Sequence, residues 1–319
     1  MNIDVLRGAS SLRPAMVKIY GFFHAFGMID LSPFVVKVAT WCRLAGVEHS
    51  LHEGDRNKAP KGKLPYVEVD GEVLCDSTHI LKRLSAKHRD LDDGLTDYDR
   101  ALSRAFQSMI EEHLYFVSLT LRWQDDRGWA VLQPEFARYL KTQGVPGLLT
   151  GPLTGVVRGK VKDAAKAQGM GRHSVAEIEA AGVELIDALA TFVGEKPYAL
   201  GDAPRTLDAT LWAFLYSNHD APFENAMTAR LKSKANLVAY IERVRERYWM
   251  RRSPPRRAGA AATAACARAG NCPSMQGSAR GRSLLARLRV VVTSPATRHC
   301  DRVDRLREGS RGRVDHGCS

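Results

Sequence analysis

From Met16 onward the chain begins to alternate. Val17-Lys18-Ile19-Tyr20-Gly21-Phe22 sets apolar against polar positions with a period of two, which predicts a strand. After a loop, Ser32-Pro33 opens a stretch in which Val35, Val38, Ala39 and Cys42 share one helical face, and Gly46 supplies the stop. Val47 to His52 predict a second strand. A basic loop follows, Asn57-Lys58-Ala59-Pro60-Lys61-Gly62-Lys63, then a third strand at Tyr66-Val67-Glu68-Val69. Asp70-Gly71 is a hairpin turn signal, Glu72 to Leu74 the return strand, and Asp76-Ser77-Thr78 the cap of a helix carrying Ile80, Leu81 and Leu84. The expected order is β-α-β-β-β-α over residues 16–91.

Past Asp92-Asp93-Gly94 the period becomes helical and stays so. Thr96 is placed to cap a long helix whose Ala101, Leu102, Ala105, Phe106, Met109, Ile110 and Val117 form a stripe expected to be core. Ser174 and Glu177 have capping-box spacing ahead of Ile178, Ala181, Leu185, Leu189 and Phe192. A further helix is expected near Asp208. Asn236 is read as the cap of the last one, with Leu237, Ile241, Val244 and Tyr248 inward. Residues 96–249 therefore read as an all-helical domain.

Charge changes the picture only once it is placed along the chain. The net charge of +12 suggests an acidic partner, but 15 of the 47 basic residues and 4 of the 35 acidic ones follow residue 249. That leaves 32 basic and 31 acidic residues before it, a neutral body with no nucleic-acid signature. Residues 250–319 contain Arg but no Lys and no aromatic residue, a bias that fits an out-of-frame or read-through extension; a disordered basic arm for acidic partners is the rival reading. Residues 1–15 are expected to be a similar extension, with Met16 as the start. Four of six cysteines (Cys266, Cys272, Cys300, Cys318) lie in the arginine-rich segment. Cys42 and Cys75 alone, with no His/Cys spacing suited to zinc, point to a reducing compartment, the cytoplasm, and to no metal. No apolar run reaches membrane-spanning length.

Several strings sit at telling places in this order. Ser32-Pro33-Phe34 opens the first helix, Lys61-Gly62-Lys63-Leu64-Pro65-Tyr66 enters the third strand, and Asp76-Ser77-Thr78 follows the fourth. Together with the domain order they resemble the glutathione transferase superfamily: a thioredoxin-like α/β domain followed by an all-helical one. Ala59-Pro60-Lys61-Gly62-Lys63-Leu64-Pro65-Tyr66 and Gln168-Gly169-Met170-Gly171-Arg172-His173-Ser174 are similar to its metaxin and failed-axon-connections branch. One departure stands out. The family usually has Thr after the Pro that precedes the helix with the buried Asp, whereas Pro204 is followed by Arg205-Thr206-Leu207-Asp208, so a shifted or weakened cap costing about 1 kcal/mol is expected.

The resemblance implies glutathione as co-substrate, a small apolar electrophile as second substrate, and a homodimer. Ser32 would donate to the thiolate at a helix N-terminus, or simply cap that helix. Tyr20 is the alternative hydroxyl. Leu64-Pro65 matches the position of a cis proline, which would expose the Leu64 backbone to the cysteinyl backbone of glutathione. Asp76 and Ser77 would bind the γ-glutamyl end, or form a capping pair without ligand. Lys61 and Lys63 would meet the glycyl carboxylate, or form a solvated loop. Arg172 and His173 are candidate cleft residues, or tie their loop to the preceding helix. Trp123 and Trp129 read as packing, with an apolar substrate pocket as the other reading. The reading from another functional class is a non-catalytic module of the same fold that binds a protein partner.

Overall fold

The computed structural model describes residues 16–55 and 58–250; the expectations for residues 1–15 and for the arginine-rich segment after residue 250 lie outside the described residues. The alternation at the start becomes β1 (Val17–Gly21) and the apolar run after Ser32 becomes α1 (Pro33–Ala45). Then come β2 (His49–Glu53), β3 (Tyr66–Val69), β4 (Glu72–Cys75) and α2 (Ser77–Lys87), in the order expected. The sheet runs β2-β1-β3-β4, with β1 parallel to β2 and antiparallel to β3, and β3 paired with β4 as a hairpin. β2 starts at His49 rather than Val47. The Val47 N–H instead closes the end of α1 on the Cys42 carbonyl at 2.7 Å, around Gly46 at φ 73°.

Period-two geometry sorts β1 cleanly. Val17 and Ile19 are buried with residues of α1 and α2, while Lys18 and Tyr20 point to the opposite face, where Ala59, Leu64, Tyr66 and Cys75 form a second small cluster. α1 is apolar nearly all round and accordingly lies in the interior: Val35, Val36, Val38, Ala39, Trp41 and Cys42 are fully buried. Beside the sheet, it packs on α8 (Thr206–His219), itself buried along most of its length.

All other described elements after α2 are helical. They are α3 (Asp97–Ser108), a π-helical turn at Met109–Leu114, α4 (Tyr115–Trp123), α5 (Asp126–Thr142), α6 (Gly147–Gln168), a 3-10 turn at Met170–Arg172, α7 (Val175–Val193), α8, α9 (Ala226–Ser233), α10 (Ala235–Val244) and a closing π-helical turn, Arg245–Met250. Residues 16–115 and 180–250 form one compact unit and residues 116–179 a second. The boundary expected near residues 91–96 thus marks a change of element type. It is not a boundary of packing, because α8 and the closing turn are packed on α1.

Two helix expectations are corrected. The stripe on α3 is not core: Ala101 and Ala105 are exposed, Leu102 and Phe106 half-buried, and full burial starts only at Ile110, where the wider π turn shifts the phase of the side chains. The cap of α10 is Lys234. Asn236 instead donates to the Ala190 and Gly194 carbonyls at 2.8 and 3.1 Å and so ties α10 to the end of α7. The helix expected near Asp208 is α8, which begins at Thr206.

The N-cap of α8 is Arg205 itself, at the position where Thr was expected, so the cap is not shifted. An arginine has donors only and cannot accept from the helix. Asp208 still accepts the Arg205 N–H at 2.8 Å, and the missing acceptor comes from Asp92, whose carboxylate takes the Thr206 N–H at 2.8 Å. The Arg205 guanidinium in turn donates to the carbonyls of Leu91 and Asp93.

In the second unit, Trp123, Trp129 and Phe136 pack on one another at centroid distances of 5.5 and 5.6 Å, and Arg158 lies over Trp129 at 5.0 Å. The Gly-x-Gly string has a physical reason there. Gly169 sits at φ 119°, and a Cβ on Gly171 would lie 2.7 Å from the Lys166 nitrogen.

Candidate functional site

The β3–β4 register sets the geometry of the site. Tyr66 pairs with Cys75, which carries Pro65 alongside Asp76, and Tyr20 pairs with Tyr66, which brings in the C-terminal end of β1. α1 joins through Lys37, which touches Ser77 at the start of α2. The strings around Ser32, Leu64-Pro65 and Asp76-Ser77 therefore converge at one end of the sheet. The Leu64–Pro65 bond is cis. Among the described residues the Leu64 backbone has no hydrogen-bond partner, so its N–H and C=O are open to an extended ligand.

Ser32 precedes α1 in extended conformation, and its hydroxyl does not cap the helix. Pro33 brings no N–H, and the N–H groups of Val35 and Val36 go to the Ser32 carbonyl at 3.1 and 3.2 Å. Among the described residues two donors remain open at this end, the Ser32 hydroxyl and the Phe34 N–H. The loop ahead of Ser32 is fixed by Asp30, whose carboxylate accepts from the N–H groups of Phe22 and Ser32 at 2.9 and 2.8 Å. Asp30 is 6% exposed. Burial lifts its pKa to about 7, against the lowering effect of the two N–H bonds. The approach is close enough that a Cβ on Gly21 would fall 2.4 Å from Asp30 Oδ2. The Tyr216 hydroxyl of α8 holds the same loop by accepting the Ile29 N–H.

α2 begins differently. Asp76 Oδ1 accepts the N–H groups of Thr78 and His79 at 3.1 and 3.2 Å. Its own φ of 75° is strained for a residue with a Cβ, a feature typical of functional sites. Behind it lies a buried charge that sequence reasoning missed. The Lys37 ammonium donates to Glu111 Oε1 at 2.6 Å, Thr78 Oγ1 at 3.1 Å and Ser77 Oγ at 3.2 Å. Glu111 is presented by the π-helical turn after α3 and also accepts from Gln107 and Thr210. Burial lowers the Lys37 pKa, and Glu111 opposes that shift. The neighbouring Glu112 carboxyl is raised by burial and by Glu111, with Lys63 and Arg104 pulling the other way.

The remaining candidates separate by geometry. Tyr20 donates its hydroxyl to Glu68 at 2.9 Å, stacks on Tyr66, and faces away from α1, because neighbouring strand residues point to opposite sides. Burial and Glu68 raise its pKa, and its hydroxyl proton is engaged by Glu68. Lys61 is exposed and Lys63 half-buried near Glu112. Arg172 and His173 lie in the second unit. There Arg172 donates to the Lys166 carbonyl at 2.9 Å, the tie to the preceding helix, and the exposed His173 stands 4.0 Å from Glu177. No helix among the described residues is long and apolar enough to cross a membrane.

A thioredoxin-like sheet with a cis proline leading into its interior strand β3, two helix N-termini converging beside it and a helical remainder defines the class. Residues 33–128 match the glutathione S-transferase N-terminal domain and residues 182–244 the glutathione S-transferase C-terminal domain. The chain is 36% identical over 243 residues, 73% of its own length and 99% of the relative's, to the isoprene-epoxide–glutathione S-transferase of Rhodococcus sp. (strain AD45). It belongs to the glutathione transferase family. It is also 30% identical to Failed axon connections of Drosophila melanogaster, over 73% of this chain and 58% of that one. Human metaxin-2 is 27% identical over 60% of this chain and 72% of its own. The metaxin-like branch of the family is the one these relatives define.

Proposed function

We propose that the protein binds glutathione and activates its thiol for conjugation to, or reduction of, a small apolar electrophile. The observation that carries this reading is the pair of open donors at the start of α1, the Ser32 hydroxyl and the Phe34 N–H. Both favour thiolate over thiol at a helix N-terminus, where the helix dipole adds partial positive charge. The Leu64 backbone pairs with the cysteinyl residue as an added strand. Ser77 and its N–H take the γ-glutamyl carboxylate, Asp76 faces the ammonium, and Lys61 and Lys63 meet the glycyl carboxylate. With an epoxide, the class named in the Rhodococcus relative, the thiolate sulfur bonds to a ring carbon, the C–O bond breaks, and the alkoxide takes a proton from solvent. Serine suits this chemistry better than mixed-disulfide exchange, since only sulfur forms a disulfide. A homodimer and a cytoplasmic location belong to the same reading.

The test is calorimetric titration of the full chain with glutathione at physiological salt, followed by thioether formation with a small epoxide. Saturable binding and adduct formation support the enzyme. Failure of the folded protein to bind millimolar glutathione abandons it for the second reading, a non-catalytic module that binds a protein partner. That reading is favoured by the metaxin-2 and Failed axon connections similarity and by Leu148 on α6, 95% exposed.

A further inference from the structure

Lys37 occupies the middle of an interior helix with none of its surface exposed. An ammonium has three protons and no lone pair, and here each proton has an acceptor: Ser77 Oγ, Thr78 Oγ1 and Glu111 Oε1. The two adjacent hydroxyls are left in different states. Thr78 accepts from Lys37 and from Gln107 at 2.9 Å and donates to Glu111 Oε2 at 3.4 Å, so its bonding capacity is filled. Ser77 only accepts. Its own proton has no acceptor among the described residues, although the residue is 7% exposed. With Lys37 occupying the inner side of Ser77 Oγ, that proton must point away from the interior. Among the described residues the Ser77 N–H is open as well, because Asp76 takes only the N–H groups of Thr78, His79 and Ile80.

We propose that the Lys37–Glu111 pair is a positioning device that locks Ser77 as a hydrogen-bond donor, so that the start of α2 accepts a ligand carboxylate and rejects a carboxamide in its place. The inference rests on the glutathione reading above and adds to it the group that sets the selectivity. Without Lys37 the Ser77 hydroxyl can rotate and donate inward to Thr78 Oγ1, whose lone pair Lys37 no longer occupies, and the site loses its preference. A carboxylate offers acceptors to both Ser77 donors, whereas a carboxamide turns an N–H₂ group toward one of them. Stability does not account for the pair, since a buried ion pair brings little net gain over apolar residues of the same volume.

The experiment compares glutathione with its analogue carrying a carboxamide for the γ-glutamyl α-carboxylate, titrated into the full chain and into the Lys37→Met/Glu111→Leu double variant. The unaltered protein is expected to prefer glutathione. In the double variant glutathione affinity falls by about 10-fold, affinity for the carboxamide is unchanged, and adding Ser77→Ala lowers neither further. Preference kept in the double variant overturns the inference while leaving the glutathione reading intact. Absence of glutathione binding to the unaltered chain overturns the reading itself. Should the double variant not fold, Glu111→Gln serves. It leaves Lys37 with Asp76 and Arg104 as the other charges acting on it and favours the neutral amine, whose lone pair accepts the Ser77 proton. Discrimination between the two ligands then shrinks as pH rises, and a pH-independent preference counts against the device.

Discussion

The helices α1 and α2 start side by side and are finished in opposite ways. α1 begins with a proline and a serine whose hydroxyl caps nothing, and its open donors rest on a loop held by Asp30. α2 begins with a carboxylate cap on a strained backbone, a buried serine behind it, and a lysine–glutamate pair behind that. The first arrangement suits a large, polarizable anion that needs only its charge favoured. The second suits a small, hard anion that must be oriented. The difference also predicts what each end does to stability, because α2's relies on a buried ion pair and α1's on a single buried carboxyl.

The largest effect is expected from leaving that charge unpaired. Glu111→Leu strands the Lys37 ammonium in the interior and should destabilise the fold by about 3–5 kcal/mol in urea unfolding. Lys37→Met in addition should restore most of the loss. If the single substitution costs under about 1 kcal/mol, the pair is effectively solvated and the contrast between the two helix starts disappears.

Next come the two serines, which should behave as mirror images. Ser77→Ala removes a donor to a charged group, so glutathione affinity should drop by about 1.5–3 kcal/mol, with the rate at saturation little altered. Ser32→Ala should leave affinity nearly unchanged and lower the rate at neutral pH by about 10-fold for each unit that the thiol pKa rises, followed as thiolate absorbance against pH. Because its hydroxyl caps nothing, Ser32→Ala should also shift stability by less than about 0.5 kcal/mol. A loss of about 1 kcal/mol would instead make Ser32 an ordinary N-cap.

How much of this could be read from the chain depends on whether the interaction is local. The strands, the Asp70-Gly71 hairpin, the Asp76 cap and the Ser174–Glu177 box are set by neighbours within a few residues, and they are found where the pattern places them save for the start of β2. Asp92 capping α8 across 114 residues has no local signal. Nor has Glu111, since a π turn breaks the 3.6-residue period that would place it. Lys37 did leave a trace: it stands between Val36 and Val38 in a helix with no polar face, so its charge had nowhere to go but inward. Apolar periodicity on α3 misled because it reports what a helix could bury and says nothing of whether a layer lies over it.

Asp30 gives the smallest and most discriminating test of α1's side of the comparison. Its folded pKa of about 7 lies above the value of 3.8 for a free carboxyl, with Glu53 adding to the effect of burial. The folded state therefore binds the proton more tightly than the unfolded chain. The associated stability is fully present below about pH 3.8 and is lost as pH rises through about 7. Asp208, raised to about 6 by its own burial, acts in the same direction, so the total pH dependence cannot be assigned to one group. Asp30→Asn separates them: the Tm difference between the unaltered protein and the variant should shrink by a few degrees from pH 5 to pH 8. A difference that grows with pH would mean that the two N–H bonds outweigh burial, and that the loop in front of Ser32 is held by a full negative charge. Such a charge beside the open donors would work against a thiolate there, and the task of stabilising it would fall more heavily on the helix start itself.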